Sequence, residues 1–81
     1  MNGTEKQVRW AEAIRAEWLA LLTKSAPPAQ KELIKAAIEE RQEAAFFIYN
    51  RGVSCKGFLR ALRNASIEHK EALAKLITEE Y

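Results

Sequence analysis

Apolar residues recur along nearly the whole chain at the three- and four-residue spacing of an α-helix, and this periodicity constrains the fold more than any other feature. Alternating runs of β-branched residues, which are typical of strands, are nearly absent. The chain has only three glycines and two prolines, and they fall at the ends of the periodic segments. The sequence therefore predicts an all-α protein, a small bundle of about four helices.

Helix 1 is predicted from about Glu5 to Leu22. Thr4 is its expected N-cap, since Gln7 three residues later can complete a capping box. Its apolar residues share one face: Trp10, Ala11, Ile14, Trp18, Leu21 and Leu22. The two tryptophans could form a platform that stacks nucleobases or anchors a partner. Because they share this face with Ile14 and Leu21, packing in the core is favoured.

Helix 2 is predicted from Pro28 to about Asn50, because proline suits a first helical turn, and Gly52 is the expected left-handed residue after it. The short connection favours antiparallel packing of these two long helices. The inner stripe is expected to contain Leu33, Ile34, Ala37, Ile38, Ala44, Ala45, Ile48 and Tyr49. Phe46 and Phe47 fall outside this stripe, so we expect either the remaining helices or a second copy of the chain to cover them.

Two shorter helices are predicted to close the bundle. Helix 3 is expected over about Cys55 to Asn64 with Ser54 as its cap, and helix 4 over about Ile67 to Glu80 with Ser66 as its cap. Their apolar faces are expected to contain Phe58, Ala61, Leu62 and Ala65, and then Ile67, Leu73, Ala74, Leu76 and Ile77. A chain of 81 residues is too short to divide into two cores, so we expect one domain over residues 1–81.

Several functional classes are disfavoured by what the sequence contains. No apolar run approaches the roughly 20 residues that span a bilayer, and the first residues lead into a charged segment unlike a secretory signal, so we expect a cytoplasmic protein without membrane contact. One cysteine, Cys55, and one histidine, His69, cannot build a disulfide or a structural zinc site. With Ser54 they are not spaced as a nucleophile and its base, so we expect no enzyme, no cofactor and no metal.

Arg41 stands at the centre of the apolar stripe of predicted helix 2. An unpaired guanidinium buried there would be costly, so the side chain must reach solvent or an acid. One interpretation is a structural ion pair at the bundle edge, with Glu12 or Glu17 as the partner. The other makes Arg41 a recognition residue in a cleft.

Positive charge is concentrated late in the chain, although the net charge of +2 is too small to name a partner. Residues 51–70 hold five bases and one acid, a formal balance of +4. Lys56, Arg60 and Arg63 fall within about 60° on helix 3, and with Arg51 they could lie along a phosphate backbone. The plainer interpretation is a solvated helix face.

Two blocks carry a resemblance to known proteins. Residues 3–15 read GTEKQVRWAEAIR, and residues 46–51 read FFIYNR. The first resembles the opening of small, uncharacterised bacterial, plasmid and phage proteins, in which Glu-Lys-Gln precedes Trp-Ala-Glu and then Ile-Arg. The second is similar to an aromatic-aromatic-isoleucine-x-x-arginine element of the same proteins, where tryptophan commonly stands in place of the two phenylalanines. The resemblance implies a mobile-element or accessory-gene setting and no particular activity.

The sequence as a whole favours a non-catalytic binding module of mobile-element or phage-like origin that acts through protein–protein contact. Its expected partner is another protein or a second copy of the chain. Arg41, Phe46 and Phe47 are the candidate interface residues. The alternative is a nucleic-acid-binding accessory protein that uses Arg51 and the three bases of helix 3.

Overall fold

The computed structural model of the protein describes residues 1–80, and its regular structure there consists of helices without strands. The predicted domain extends one residue further, to Tyr81, which lies outside the described residues. The prediction of an all-α fold is confirmed, although five helices replace the expected four or so. They are α1 (Glu5–Thr23), α2 (Pro28–Glu40), α3 (Ala44–Tyr49), α4 (Cys55–Ala65) and α5 (Lys70–Glu80).

Helix α1 begins as predicted. The Thr4 hydroxyl accepts the Gln7 N–H at 3.2 Å and the Gln7 side-chain oxygen accepts the Thr4 N–H at 3.0 Å, which completes the capping box. The buried residues of α1 are Ala11, Ile14, Trp18 and Leu22. Trp10 and Leu21 are exposed, so the prediction that they join the core is wrong. Trp10 is rotated by about 100° around the helix axis from the buried Ala11, and Leu21 by the same angle from the buried Leu22. Both side chains therefore point away from the face of α1 that the neighbouring helices cover.

Predicted helix 2 is interrupted and forms α2 and α3. Between them, Arg41 and Glu43 adopt extended backbone, with ψ values of 119° and 120°. The N-terminal residues pair with this stretch: the Asn2 N–H donates to the Gln42 carbonyl at 2.6 Å, and the Ala44 N–H donates to the Asn2 carbonyl at 2.9 Å. These bonds satisfy backbone groups that a helix would otherwise use. The interruption is therefore stabilised by a segment about forty residues away in the chain.

The extended stretch changes which side of the following helix faces the core. Phe47, predicted to lie outside the apolar stripe, has no exposed surface, whereas Tyr49 of the predicted stripe is 87% exposed. Ala45, also predicted to be inside, is exposed as well. Residues 41–43 are not helical, so the side chains of α3 point in different directions from those that one continuous helix would give. The periodicity of α2 therefore does not predict which residues of α3 are buried.

An aromatic cluster joins α1, α3 and α4. Trp18 stacks on Phe58 with ring centroids 4.3 Å apart and planes 3° apart. Phe47 lies 6.4 Å from Phe58, and Phe46 meets Phe47 edge-on at 5.3 Å. Phe47 and Phe58 are completely buried, and Phe46 is half-buried against the same core. The chain thus covers Phe47 itself, which agrees with the first of the two alternatives, cover by the remaining helices.

Two glycines differ from each other in backbone conformation. Gly3, next to the Asn2 pairing, adopts φ 145°, and a Cβ built there would lie 3.0 Å from the Ala44 Cβ. Gly52 does not adopt a positive φ, so its predicted role as the left-handed residue after helix 2 is wrong. Asn50 is the C-cap of α3 instead, with non-helical φ −98° and ψ 14°, and its side-chain amide donates to the Phe46 carbonyl.

Helix α4 follows the prediction closely. The Ser54 hydroxyl accepts the Gly57 N–H at 3.0 Å and caps the first turn. The buried residues are Phe58, Leu59 and Leu62. Because these side chains face the core, the opposite side of α4 presents its basic residues.

Helix α5 starts later than predicted, at Lys70 and not at Ile67. The Ser66 hydroxyl accepts the His69 N–H at 2.9 Å, as a cap would, but Ile67 is exposed and takes no part in the core. The Ile67 N–H is bound by the Glu40 carboxylate, which holds this turn outside the helix. The buried residues of α5 are Leu73, Leu76 and Ile77.

Candidate functional site

Three exposed hydrophobic side chains lie on the same side of the molecule, with Leu21 next to Val53 and Trp10 about three helical turns from Leu21. Trp10 is 49% exposed, Leu21 54% and Val53 39%. Leu21 and Val53 share a shallow cleft of about 220 Å³ whose other lining residues are Ile14, Glu17, Trp18 and Arg51. The Arg51 guanidinium carbon lies 4.9 Å from the centre of the Trp10 ring. Residues of α1 and of the α3–α4 connection therefore form one continuous surface.

The α1 part of this surface is a row with helical spacing. Trp10, Ala13, Glu17 and Ala20 are separated by three, four and three residues, and all four are exposed. A solvated helix face normally carries several charges, whereas these four positions carry one, with Lys6 and Lys24 lying beyond them at the two ends of the row. We refer to Trp10, Ala13, Glu17, Ala20 and Leu21, together with Arg51 and Val53, as the α1 surface.

Arg51 is held in place on this surface. Its guanidinium lies over the Trp10 indole, a cation–π contact worth about 0.5–1 kcal/mol at an exposed site. The same group donates a hydrogen bond to the Ile48 carbonyl. The sequence grouped Arg51 with the bases of helix 3, but the structure places its charged group against α1.

Arg41 forms an ion pair with its neighbour Glu40, at 3.3 Å, and with neither of the predicted partners. Glu12 and Glu17 are both exposed on α1. The Arg41 side chain is only 15% exposed, and its Nε atom is buried without a hydrogen-bond partner. This geometry fits the ion-pair interpretation of Arg41, with a different acid.

Glu40 is the polar residue that sequence reasoning missed. One carboxylate oxygen accepts the Ser66 hydroxyl at 2.8 Å, and the other accepts the Ile67 N–H at 3.0 Å. The Ile67 N–H is the largest cause of a lowered Glu40 pKa, and Ser66 and Arg41 lower it further, since each stabilises the charged carboxylate. The carboxylate thereby fastens the end of α2 to the α4–α5 connection. No local signal could have shown this, because its main partners lie 26 and 27 residues away.

The basic row of α4 is present, with unequal exposure. Arg60 is exposed, whereas Lys56 and Arg63 are half-buried. Both Nε and Nη2 of Arg63 donate to the Asn64 side-chain oxygen at 3.2 Å. The helix contains no acidic residue, so these three charges are not offset within α4.

The nucleophile and base candidates occupy different elements. Cys55 opens α4, and His69 precedes α5 with its Nε2 atom 3.8 Å from the Glu68 carboxylate. Among the described side chains, those of residues 1–79, no group of three or more His, Cys, Asp or Glu residues is placed to hold a metal ion. In the same range, no helix has the length and apolar character needed to cross a membrane.

Comparison with known proteins returns no match: no family model, no curated protein and no solved structure is significantly similar to this chain. The resemblance of residues 3–15 and 46–51 to small bacterial, plasmid and phage proteins is not tested by these comparisons and stays a prediction.

Proposed function

We propose that the protein is a non-catalytic binding module that docks the α1 surface onto a protein partner. The observation that carries this proposal is the clustering of exposed Trp10, Leu21 and Val53 beside an arginine stacked on the indole. Exposed apolar side chains grouped on one surface beside charged residues mark interaction sites more often than singly scattered ones do. Tryptophan and arginine are also the residues that most often dominate the binding energy of an interface.

The contact between Arg51 and Trp10 supports this function in a second way. Because the two side chains already hold each other, docking freezes less side-chain motion than two free side chains would lose. Glu17, which lines the same cleft, adds an acid next to this base. Opposite charges beside an apolar centre favour one orientation of a partner over others.

The proposed setting follows from the resemblance of residues 3–15 and 46–51 alone. On that basis, the protein is an accessory product of a mobile or phage-like element. Its location in the cytoplasm is a separate proposal that the resemblance does not supply. Neither statement is needed for the docking proposal, which depends on the α1 surface.

A site-specific photo-crosslinker tests the proposal in cells that carry the gene. Benzoylphenylalanine is placed at Ala20 on the α1 surface or, as a matched control, at Ala72, which is also an exposed helical alanine. We expect defined protein adducts from position 20 and few from position 72. Adducts from position 20 should also be lost when Trp10→Gln is added. Equal adducts from both positions, or none from position 20, would refute docking through the α1 surface.

Nucleic-acid binding is the second candidate, and α4 favours it because three bases stand there without an acid. If α4 contacts phosphates, replacing Lys56, Arg60 and Arg63 together by glutamine must abolish most of the affinity. The slope of log affinity against log salt must then flatten by up to about 2.7, since each neutralised phosphate contributes about 0.9.

The control for that test is Lys31→Gln with Lys35→Gln, because these bases are exposed on α2. The control pair should leave binding to duplex and single strands almost unchanged. A wild-type protein with no salt-sensitive binding at low ionic strength would eliminate this candidate.

A further inference from the structure

We infer that the partner that docks on the α1 surface is a second copy of this chain, packed antiparallel about a two-fold axis that crosses α1 between Ala13 and Glu17. This inference rests on the proposed docking function and names its partner. It transfers the self-association expected at Phe46 and Phe47 to a different part of the molecule, because Phe47 is completely buried.

The spacing of the exposed row fits such a pairing. In an antiparallel arrangement about that axis, Trp10 of one copy lies against Ala20 and Leu21 of the other, and Ala13 lies against Glu17. The large indole thus meets a small alanine, which lets the helix axes approach closely. Residues at alternating three- and four-residue intervals are those that remain in contact along two packed helices. Trp10 and Leu21 lie about 16 Å apart along α1, so each copy contributes an apolar contact at both ends.

Charge gives the second reason to choose a copy of the same chain. An isologous interface must be complementary to itself, so each charge needs its opposite elsewhere on the same surface. The α1 surface carries one acid, Glu17, and one base, Arg51. Arg51 lies at the level of Trp10, and antiparallel packing brings Glu17 of the other copy within about one helical turn of that level. The two-fold axis then forms this acid–base contact twice.

The size of the surface sets the expected strength. Helix α1 has 19 residues and is about 28 Å long, so two such helices cover less than the roughly 800 Å² per partner of a standard interface. Lys6 and Lys24 would face each other at the ends of the row, where water and salt screen their repulsion. We expect a dissociation constant between about 10 μM and 1 mM.

Sedimentation equilibrium of charge variants, alone and mixed, tests the pairing. Glu17→Arg and Arg51→Glu each place like charges opposite one another in a homodimer, so each should weaken dimerisation at least tenfold. An equimolar mixture of the two variants should restore dimerisation as a heterodimer. Arg51 of the Glu17→Arg chain then meets Glu17 of the Arg51→Glu chain, and the introduced arginine meets the introduced glutamate. An acid–base contact within a single chain would give no such rescue.

Two further variants complete the design. Glu71→Arg makes the same change on the exposed side of α5 and should leave dimerisation unaffected. Ala13→Glu places an acid against Glu17 of the other copy twice in each dimer and should abolish dimerisation, with circular dichroism confirming that the variant is folded. A wild-type protein that stays monomeric to about 1 mM, or a mixture that is not rescued, overturns the inference. Crosslinks from position 20 to another protein would then leave the docking function standing, whereas their absence would remove both.

Discussion

Replacing Glu40 by alanine should destabilise the protein far more than replacing its neighbour Glu39. Glu40 accepts hydrogen bonds from Ser66 and Ile67 at 2.8 and 3.0 Å and pairs with Arg41 at 3.3 Å. Each contact to a charged group contributes about 0.5–1.5 kcal/mol after partial solvent screening, so their loss should cost about 2–4 kcal/mol. Arg41, whose Nε atom already lacks a partner, would also lose the one ion pair that it forms with the side chains of residues 1–79.

That loss is large for a chain of this size, whose total stability is expected to be about 4–12 kcal/mol. Thermal unfolding of Glu40→Ala should occur about 10–20 °C below the wild type. Glu39 is exposed, and the bond from the Gln42 side chain goes to its backbone carbonyl, which alanine retains. Glu39→Ala should therefore change the free energy of unfolding by no more than about 0.5 kcal/mol.

Acid gives an independent test of the same carboxylate. The Glu40 pKa is lowered from its ordinary value of 4.5, with the Ile67 N–H as the largest cause, so folding favours the charged form. Its contribution is complete above pH 4.5 and is lost as the pH falls through the lower value in the folded state. Urea unfolding at a series of pH values should show the wild type and Glu40→Gln converging under acid. A difference that stays constant with pH, or equal losses for Glu40→Ala and Glu39→Ala, would refute this account of how Glu40 joins α2 to the α4–α5 connection.

Two further comparisons can be made by the same unfolding measurement. Gly3→Ala should destabilise the protein by about 1–3 kcal/mol, because Gly3 has a positive φ and the new methyl group would lie too close to Ala44. Gly52→Ala should be neutral or stabilising by up to about 1 kcal/mol, since no atom lies within 4 Å of the position of its Cβ. Equal effects at the two glycines would contradict the backbone assigned to Gly3. Phe47→Ala should cost about 3–5 kcal/mol and Tyr49→Ala less than about 0.5 kcal/mol, the reverse of what one continuous helix would give.

Features that depend on neighbouring residues could be predicted from the sequence. The caps at Thr4 and Ser54 were predictable because donor and acceptor lie three residues apart. The break at Arg41 was not predictable, since both flanking segments have helical periodicity. The residue that pairs with the break, Asn2, precedes α1 and lies about forty residues away in the chain. The late start of α5 has the same kind of cause, a carboxylate supplied by α2. Local patterns indicate where a helix can form, and distant partners decide where it stops.

The candidate site shows the same limit from the functional side. Trp10 and Trp18 belong to one apolar stripe, and periodicity alone assigned both to the core. The structure buries only Trp18, because the cluster around Phe58 covers one edge of that stripe and leaves the other open. The remaining signal was the row of Ala13, Glu17 and Ala20 beside Trp10, which has too little charge for a solvated face.

The energetics of the α1 surface explain why apolar contact alone cannot define its partner. About half of Trp10 and Leu21 remains exposed, so complete burial would remove roughly 100 Å² of indole and somewhat less of leucine from water. At about 25 cal/mol per Å², burial of the two residues would contribute roughly 4 kcal/mol of binding free energy. This only equals the lower end of the 4–15 kcal/mol that association costs through lost translational and rotational freedom. The rest of the affinity must therefore come from apolar surface that the partner itself buries, as the second chain of a symmetric pair does by repeating these contacts, and from groups that satisfy Glu17 and Arg51. A partner that is merely hydrophobic would satisfy neither Glu17 nor Arg51. These two charges therefore determine which partner binds, although burial of Trp10 supplies more of the binding free energy.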